Sequence, residues 1–306
     1  MSRQLPSVTV VICARNAAAH LGGSISSALA QDYPRDRYRV LVVDNGSTDE
    51  TRYVARAMGA AVRGHRRPGI AGARRFAVET IRSGLIAFLD ADCEAPTNWL
   101  SSLVPEFLDE RGTLSTQVGA VGIRLVSDEP RTLAERHIDA GGMMDTDRMF
   151  TRNALQFPFV VCAGMVARRD ALREVGAFDP GFGRAAGEDA DACWRLRRNG
   201  WEVRYRRDVT VLHHHRASVG AMLRQVRWYG AGSAELFARW RKELGWRRYT
   251  DWRVYQRLVG GLATAPFALL LRSGYERHAP TLRALDAAAF LCGKLRRSIE
   301  KRILFL

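Results

Sequence analysis

The chain has 306 residues, 47% of them hydrophobic and 26% charged, which gives ample material for a core and excludes a chain disordered throughout. Its five cysteines, at 13, 93, 162, 193 and 292, form no CxxC pair and follow no regular spacing, which excludes a disulfide scaffold and a zinc ribbon and points to a reducing compartment. The net charge of +15 is unevenly placed, since residues 201–306 hold 21 Lys and Arg against 8 Asp and Glu while the first 200 hold 26 against 24, so the last third calls for an anionic partner: a membrane surface, nucleic acid or a phosphorylated ligand.

In chain order, Val8–Cys13 is an apolar, β-branched run and predicts a buried strand. It runs straight into Arg15, so no targeting segment is expected there. Asn16 is placed to cap a helix reaching about Ala30. Arg39–Val43 predicts a second strand, followed by the turn Asp44-Asn45-Gly46-Ser47, with Ser47 or Thr48 capping a helix to about Met58. Ala60–Arg63 reads as a short strand, Gly69–Arg82 as a helix, and Leu85–Leu89 as a strand ending at Asp90-Ala91-Asp92. Thr97 is placed to cap a helix to about Glu110, and Val118–Val126 is another strand. Such alternation predicts an α/β fold, a parallel sheet with helices on both faces. Ligands on these sheets bind beyond the carboxyl ends of the strands.

Residues 127–212 are less regular. Phe157–Ala167 is apolar and strand-like. Gly187-Glu188-Asp189 opens a helix stopped by Asn199-Gly200. Glu202–Tyr205 and Val209–Leu212 predict two short strands, and His213-His214-His215 follow. From Ser218, Val219, Met222, Val226, Leu236, Phe237 and Trp240 recur near a helical period with arginines between them. This is a basic amphipathic helix, with Gly230 and Gly232 marking an expected break. Further helices are expected at about 252–271 and 281–303. The uncharged, largely apolar run Leu258–Leu271 is 14 residues and contains Pro266. That falls short of the roughly 20 residues a bilayer span takes, though it can lie in the interface.

Four clusters carry chemistry. Asp90 and Asp92, two residues apart just past a buried strand, suit a hard divalent ion such as Mg²⁺ or Mn²⁺; a solvated turn is the alternative. Asp44, at the end of the second strand, can accept hydrogen bonds from a nucleoside, or close an Asx-turn. Glu188 and Asp189 offer a general base, or acids favourably placed at a helix N-terminus. His213 or His215 can complete a metal shell or contact a diphosphate. A P-loop, GxGxxG after the first strand, GxSxG and HExxH are all absent from the sequence, which removes the commonest nucleotide-triphosphate, dinucleotide, serine-hydrolase and zinc-protease readings.

Taken in order, V-T-V-V-I-C-A-R-N (8–16), V-V-D-N-G-S-T-D-E-T (42–51), G-I-A-G-A-R-R (69–75), F-L-D-A-D (88–92), A-R-R-D-A-L-R-E-V-G-A-F-D (167–179), G-E-D-A-D (187–191) and V-L-H-H-H-R (211–216) resemble the family-two glycosyltransferases, inverting nucleotide-sugar enzymes of GT-A fold. The resemblance covers about residues 6–240. It implies a GT-A domain over 1–216, with a nucleotide-sugar half at about 1–126 and an acceptor half at about 127–216, followed by a basic helical extension over 217–306. It places Ala14, Arg15, Asn16 and Asp44 around the nucleoside, and Gly69 and Arg74 near the base or diphosphate. Asp90 would face the donor, with Asp92 binding the metal and His213 approaching it. Asp189 is the preferred base of the Glu188–Asp189 pair, and Ala163-Gly164-Met165 would border the acceptor. Gln225-Val226-Arg227-Trp228 is one residue short of the Q-x-x-R-W of processive synthases, so a single transfer is expected.

The expected partners are a nucleotide-sugar donor, a glycan, lipid or lipid-linked acceptor, and an anionic membrane surface touched by the basic helices. No nucleic acid is expected, because no nucleic-acid-binding motif accompanies the charge. The expected location is cytoplasmic, with a peripheral seat on the inner face of the cell membrane. The alternatives are a soluble helical cap in place of the membrane seat, and an inactive GT-A domain used as a binding module, which should lack the acids present here.

Overall fold

The computed structural model describes residues 5–65, 69–114, 117–142, 144–151, 158–243, 245 and 250–305. The elements run β1 (Val8–Ala14), α1 (Leu21–Leu29), β2 (Tyr38–Asp44), α2 (Thr51–Ala57), β3 (Ala61–Gly64), α3 (Ile70–Thr80), β4 (Leu85–Asp90), β5 (Cys93–Glu94) and α4 (Trp99–Leu103). They continue with β6 (Val118–Ser127), α5 (Leu133–Ala140), α6 (Thr146–Thr151), β7 (Val166–Arg168), α7 (Arg169–Glu174), α8 (Glu188–Arg198), β8 (Glu202–His213), α9 (Val219–Trp240), α10 (Trp252–Leu271) and α11 (Gly274–Glu300).

The strands form one eight-stranded sheet in the order β3-β2-β1-β4-β7-β6-β8-β5. The expected parallel block is β3-β2-β1-β4. Beyond it β7 runs antiparallel to both β4 and β6, so the sheet is mixed. β1 is buried on both faces. Val8, Val10, Ile12 and Ala14 share a cluster with Leu21 and Ile25 of α1 and Trp99 of α4, while the alternate residues Val11 and Cys13 are equally enclosed. A strand covered on both faces explains the unbroken apolar run. The chain adds β2 and β3 on one side of β1 and then crosses to add β4 on the other. That reversal opens a crevice at the carboxyl ends of β1 and β4.

Two further expectations are corrected. Of the stretch 157–167 only Val166 and Ala167 are strand, as the start of β7; residues 158–165 are irregular, and Phe157 lies outside the described residues. The two strands expected at 202–205 and 209–212 are one strand, β8. Its pairing with β6 shifts register where Ile123 opposes Arg206 and Arg124 opposes Thr210, so a bulge absorbs the polar Arg207-Asp208 step.

The backbone divides into two compact units. The first holds Met1–Asp128, Met144–Gly183 and Glu188–His214, and the second holds Glu129–Met143, Arg184–Gly187 and His215–Leu306. The second unit is helical. α5 opens with a capping box between Thr132 and Glu135, and α9 with the Ser218 side chain accepting from Ala221 N. α9 is continuous through Gly230 and Gly232, against expectation. A Cβ at Gly230 would lie 2.0 Å from the Phe290 carbonyl oxygen, and one at Gly293 would lie 1.9 Å from that of Arg227. Gly230 and Gly293 serve the close approach of α9 and α11, a Cβ at Gly232 would meet the Ala186 carbonyl, and neither glycine of α9 breaks the helix. The apolar stripe of α9 is spent inside this unit: Met222 and Val226 pack with Ala134, Ile138 and Leu282, and Phe237 stacks on Phe305.

Candidate functional site

The β1–α1 and β2–α2 loops are tied together at the sheet edge. Asn16 sits in the left-handed region at φ 50°, and its Oδ1 accepts from Thr48 N at 2.8 Å while its own N–H donates to Ser47 Oγ at 3.0 Å. Asn16, Ser47 and Thr48 therefore lace one loop to the other and do not cap helices as the sequence suggested; α1 starts at Leu21 and α2 at Thr51. Ala14 is buried and its carbonyl accepts from Asn45 N, while Arg15 is exposed. Asn45 Nδ2 donates to the carbonyl of Gly69, the residue that leads into α3.

Asp44 is fully buried. Its Oδ1 accepts from Ser47 N at 3.1 Å, which closes the Asx-turn, and its Oδ2 accepts from Arg52 Nε at 2.5 Å. Burial pushes the carboxyl upward, but the hydrogen bonds from Ser47 and Arg52 outweigh it and hold Asp44 below the ordinary carboxylate range. A nucleoside contact at Asp44 requires Arg52, whose side chain is half exposed, to swing aside.

At the crevice, Arg74 of α3 bridges two acids. It is 5% exposed, donates through Nη2 to Asp90 Oδ1 at 2.6 Å, and donates through Nη1 to Glu188 Oε1. Glu188 is 3% exposed, and burial raises its carboxyl to about 7 against the pull of Arg74. The neighbouring Asp189 is differently placed. It is partly exposed, and its Oδ1 accepts one hydrogen bond, from Ala190 N at 2.8 Å. Among the described residues it ion-pairs with no cation, and burial raises its carboxyl above the ordinary range against the more distant Arg74. The sequence treats the two acids as a pair; the structure gives Glu188 a cationic partner and, among the described residues, gives Asp189 none.

A second cluster lies where β5 meets β8. Cys93 and His213 are directly opposed in the antiparallel register, so their side chains share a face. His213 Nε2 is 3.8 Å from Asp92 Oδ1, and Cys93 Sγ is 4.0 Å from the same oxygen. All three residues are buried, and one donor atom from each lies within 4.8 Å of the others. The carboxylate and imidazole fit Mn²⁺, which accepts a nitrogen ligand more readily than Mg²⁺ does, whereas the Cys93 sulfur by itself favours a softer ion such as Zn²⁺. The cluster draws on His213 and on neither His214 nor His215, and it does not include Asp90, which is held by Arg74. Cys93 was missed in the sequence; its position beside Asp92 was the available signal.

His214 is engaged elsewhere. Its Nε2 is 2.9 Å from Glu94 Oε1 and its Nδ1 is 3.0 Å from Asp128 Oδ2. Partial burial lowers its affinity for a proton, but the two carboxylates outweigh this and raise it. Ala163-Gly164-Met165, expected to border the acceptor, is buried. The Gly164 carbonyl accepts from Trp99 Nε1, and a Cβ at Gly164 would lie 2.7 Å from the Ile123 side chain.

A family model described as "Glycosyltransferase like family 2" matches residues 6–231. The chain is 31% identical over 242 residues to a pre-mycofactocin glycosyltransferase of Mycobacterium tuberculosis, covering 76% of this chain and 48% of that protein. It thus spans about half the length of that relative. It is 25% identical over 312 residues to a β-monoglucosyldiacylglycerol synthase of Synechocystis sp., covering 94% of this chain and 62% of that protein. Among solved structures, a mannosyltransferase from Pyrobaculum calidifontis in complex with GDP-Man and Mn²⁺ superposes with a TM-score of 0.63 at 18% identity. That match covers 97% of this chain and 88% of the other and speaks to the fold.

Proposed function

The chain belongs to glycosyltransferase family 2, and from that premise we propose that it transfers one sugar from a nucleoside-diphosphate sugar to a hydroxyl of a glycan, lipid or lipid-linked acceptor. The reaction is a single displacement with inversion at the anomeric carbon, without processive elongation, at the cytoplasmic face of a membrane. Asp189 takes the acceptor's proton. The observation that carries this assignment is the contrast between the two neighbouring acids: Arg74 occupies Glu188, whereas Asp189, among the described residues, ion-pairs with no cation and has an upward-shifted carboxyl. A base raised toward neutrality is better matched to a hydroxyl proton than an ordinary aspartate, and such a group contributes about 10²–10⁴-fold.

Glu188 and Asp90 position Arg74, and Arg74 in turn fixes the wall of the crevice beside Asp189. The edge formed by Ala14, Arg15, Asn16, Asp44 and Gly69 receives the nucleoside. Asp92 and His213, with Cys93 beside them, hold a divalent ion, which when bound supplies positive charge for the departing diphosphate. Positioning on these fixed elements carries most of the remaining rate.

The test is a thermal-shift and donor-hydrolysis screen of nucleotide sugars, with and without Mn²⁺. Stabilisation and slow hydrolysis by one nucleotide class, dependent on the metal and lost in Asp92→Asn, is the expected result. Hydrolysis or transfer by Asp189→Asn at the wild-type rate would overturn the base assignment. A folded protein that responds to no nucleotide would overturn the transferase reading and favour a binding module.

A further inference from the structure

The basic helix expected to meet a membrane, α9, buries its apolar stripe inside the second unit. The helix that exposes one is α10. It is 20 residues long and, by length and composition, apolar enough to cross a membrane, yet little of it is buried within the chain. Its fully buried residues are Val254, Gly261 and Ala268, at sevenfold spacing, with Tyr255 and Leu258 partly buried beside Val254. The opposite side carries Leu262, Phe267, Leu270 and Leu271 at 62, 66, 82 and 81% exposure. From Leu258 to Leu271 there is no charged residue. At the two ends of this stretch stand exposed arginines, Arg253 and Arg257 at one end and Arg272 and Arg277 at the other. Arg257 pairs with Asp286 and Arg272 with Glu276, while among the described residues Arg253 and Arg277 pair with no acid, so each end keeps a cation for an anionic partner.

These observations decide among three occupants. Tip-first insertion of the α10–α11 hairpin would carry Arg272, Glu276, Arg277 and His278, all exposed at the tip, into hydrocarbon, where charges are costly. A second copy packed on the same face, in either orientation, would bring arginine ends against arginine ends. A bilayer surface with acidic lipid meets both features at once, since acyl chains accept the apolar face and lipid phosphates accept the arginines.

We propose that α10 lies lengthwise in the headgroup–acyl boundary of an anionic membrane, with Leu262, Phe267, Leu270 and Leu271 as its buried anchors and Arg253, Arg257, Arg272 and Arg277 as its phosphate contacts. At 1.5 Å per residue, α10 offers a contact line of about 30 Å. The inference deepens the membrane-side part of the function proposed above; the seat itself rests on this surface and not on the donor chemistry.

The experiment uses the full chain and vesicles of phosphatidylcholine, alone or mixed with phosphatidylglycerol, with binding read by sedimentation in the absence of donor and acceptor. Wild type is expected to pellet with the mixed vesicles, more weakly with phosphatidylcholine alone, and less at high salt. Phe267→Gln/Leu270→Gln should bind about 100-fold more weakly, about tenfold for each anchor lost from the acyl region. Arg253→Gln/Arg272→Gln should lose the preference for acidic lipid while keeping the residual binding to phosphatidylcholine. An environment-sensitive dye at Leu270→Cys, in a Cys292→Ser background that removes the exposed native thiol, should shift to the blue on vesicles. Because all these side chains are exposed, an unchanged melting temperature certifies the fold of each variant. Wild type that stays in the supernatant with both vesicles overturns the proposal. So does a Phe267→Gln/Leu270→Gln protein that binds as wild type does, or one whose only change is to turn a dimer into a monomer. Donor hydrolysis in the same preparations separates this result from the transferase reading, because either can fail while the other holds.

Discussion

Replacing Arg74 with methionine keeps the side-chain length and removes the charge. In the wild type the guanidinium is 5% exposed and Glu188 3% exposed, so neither has water as an alternative partner. Deleting one member of such a pair leaves a buried charge uncompensated and costs about 3–5 kcal/mol. For a unit of this size each kcal/mol lowers the melting temperature by about 2–4 °C, so a drop on the order of 10 °C is expected. The sign of the pH dependence follows from Glu188, raised from 4.5 in the unfolded chain to about 7 in the folded one. Between those values the native state holds more protons than the unfolded state, so this group's contribution falls as pH rises. Without Arg74 the carboxyl is raised further and the window widens upward. The variant should therefore lose more stability at pH 8 than at pH 5, where Glu188 is protonated. Melting curves across that range are the assay. A variant within about a degree of wild type, or a deficit constant with pH, would refute the claim that Arg74 neutralises Glu188.

Asp189→Asn should lower transfer by about 10²–10⁴-fold with the melting temperature little changed, and should flatten the acid limb of the wild-type rate profile. That limb should fall as pH drops below a value above the ordinary aspartate range, since burial raises this carboxyl and the base must be ionised to act. Gly230→Ala places a methyl 2.0 Å from the Phe290 carbonyl and should destabilise by about 1–3 kcal/mol or more, read by denaturant unfolding. His214 gains protons on folding through Glu94 and Asp128, so its contribution is full below its unfolded value and lost as pH rises through the folded one. His214→Ala should accordingly cost more at pH 6 than at pH 9; because its partners are well exposed, the loss should stay within about 1 kcal/mol.

Strands β1, β2 and β4 of the parallel block are legible because their side chains are almost all buried, as β-branched apolar runs such as Val8–Cys13 require, whereas β3 is an exposed edge strand with a weaker signal. The loop residues were misread for an equally physical reason. Asn16, Ser47 and Thr48 have the chemistry of helix caps, but each spends its hydrogen bonds on a loop about 30 positions away, and local propensity does not encode that choice. β8 looked like two strands because Arg206-Arg207-Asp208 interrupts the apolar pattern; these side chains face outward, where Arg206 pairs with Glu106 and Asp208. Arg74 stood out in the sequence, but its ion pair with Glu188 was not legible, since Glu188 lies 114 positions away. The apolar character of α10 was visible in the sequence, and only packing reveals that α9 is enclosed while α10 is not.

Charge at the crevice runs against the charge of the chain. A protein of net +15 gathers Asp90, Asp92, Glu188 and Asp189 around the carboxyl ends of its strands, with Arg74 as the cation that pairs with two of them. A nucleoside diphosphate carries its own negative charge into that setting, and Arg74 is already committed. The divalent ion proposed for Asp92 and His213 would reverse the local balance, and on that proposal nucleotide binding should depend on it thermodynamically as well as catalytically. By linkage the dependence is mutual: nucleoside diphosphate should tighten Mn²⁺ binding by the same factor that Mn²⁺ tightens nucleotide binding. Titration calorimetry in both orders, with EDTA-treated protein, measures the two factors. Asp92→Asn should reduce both together. Equal nucleotide affinity with and without the ion would mean that this acid cluster does not repel the diphosphate, and the electrostatic account of the crevice would have to be abandoned.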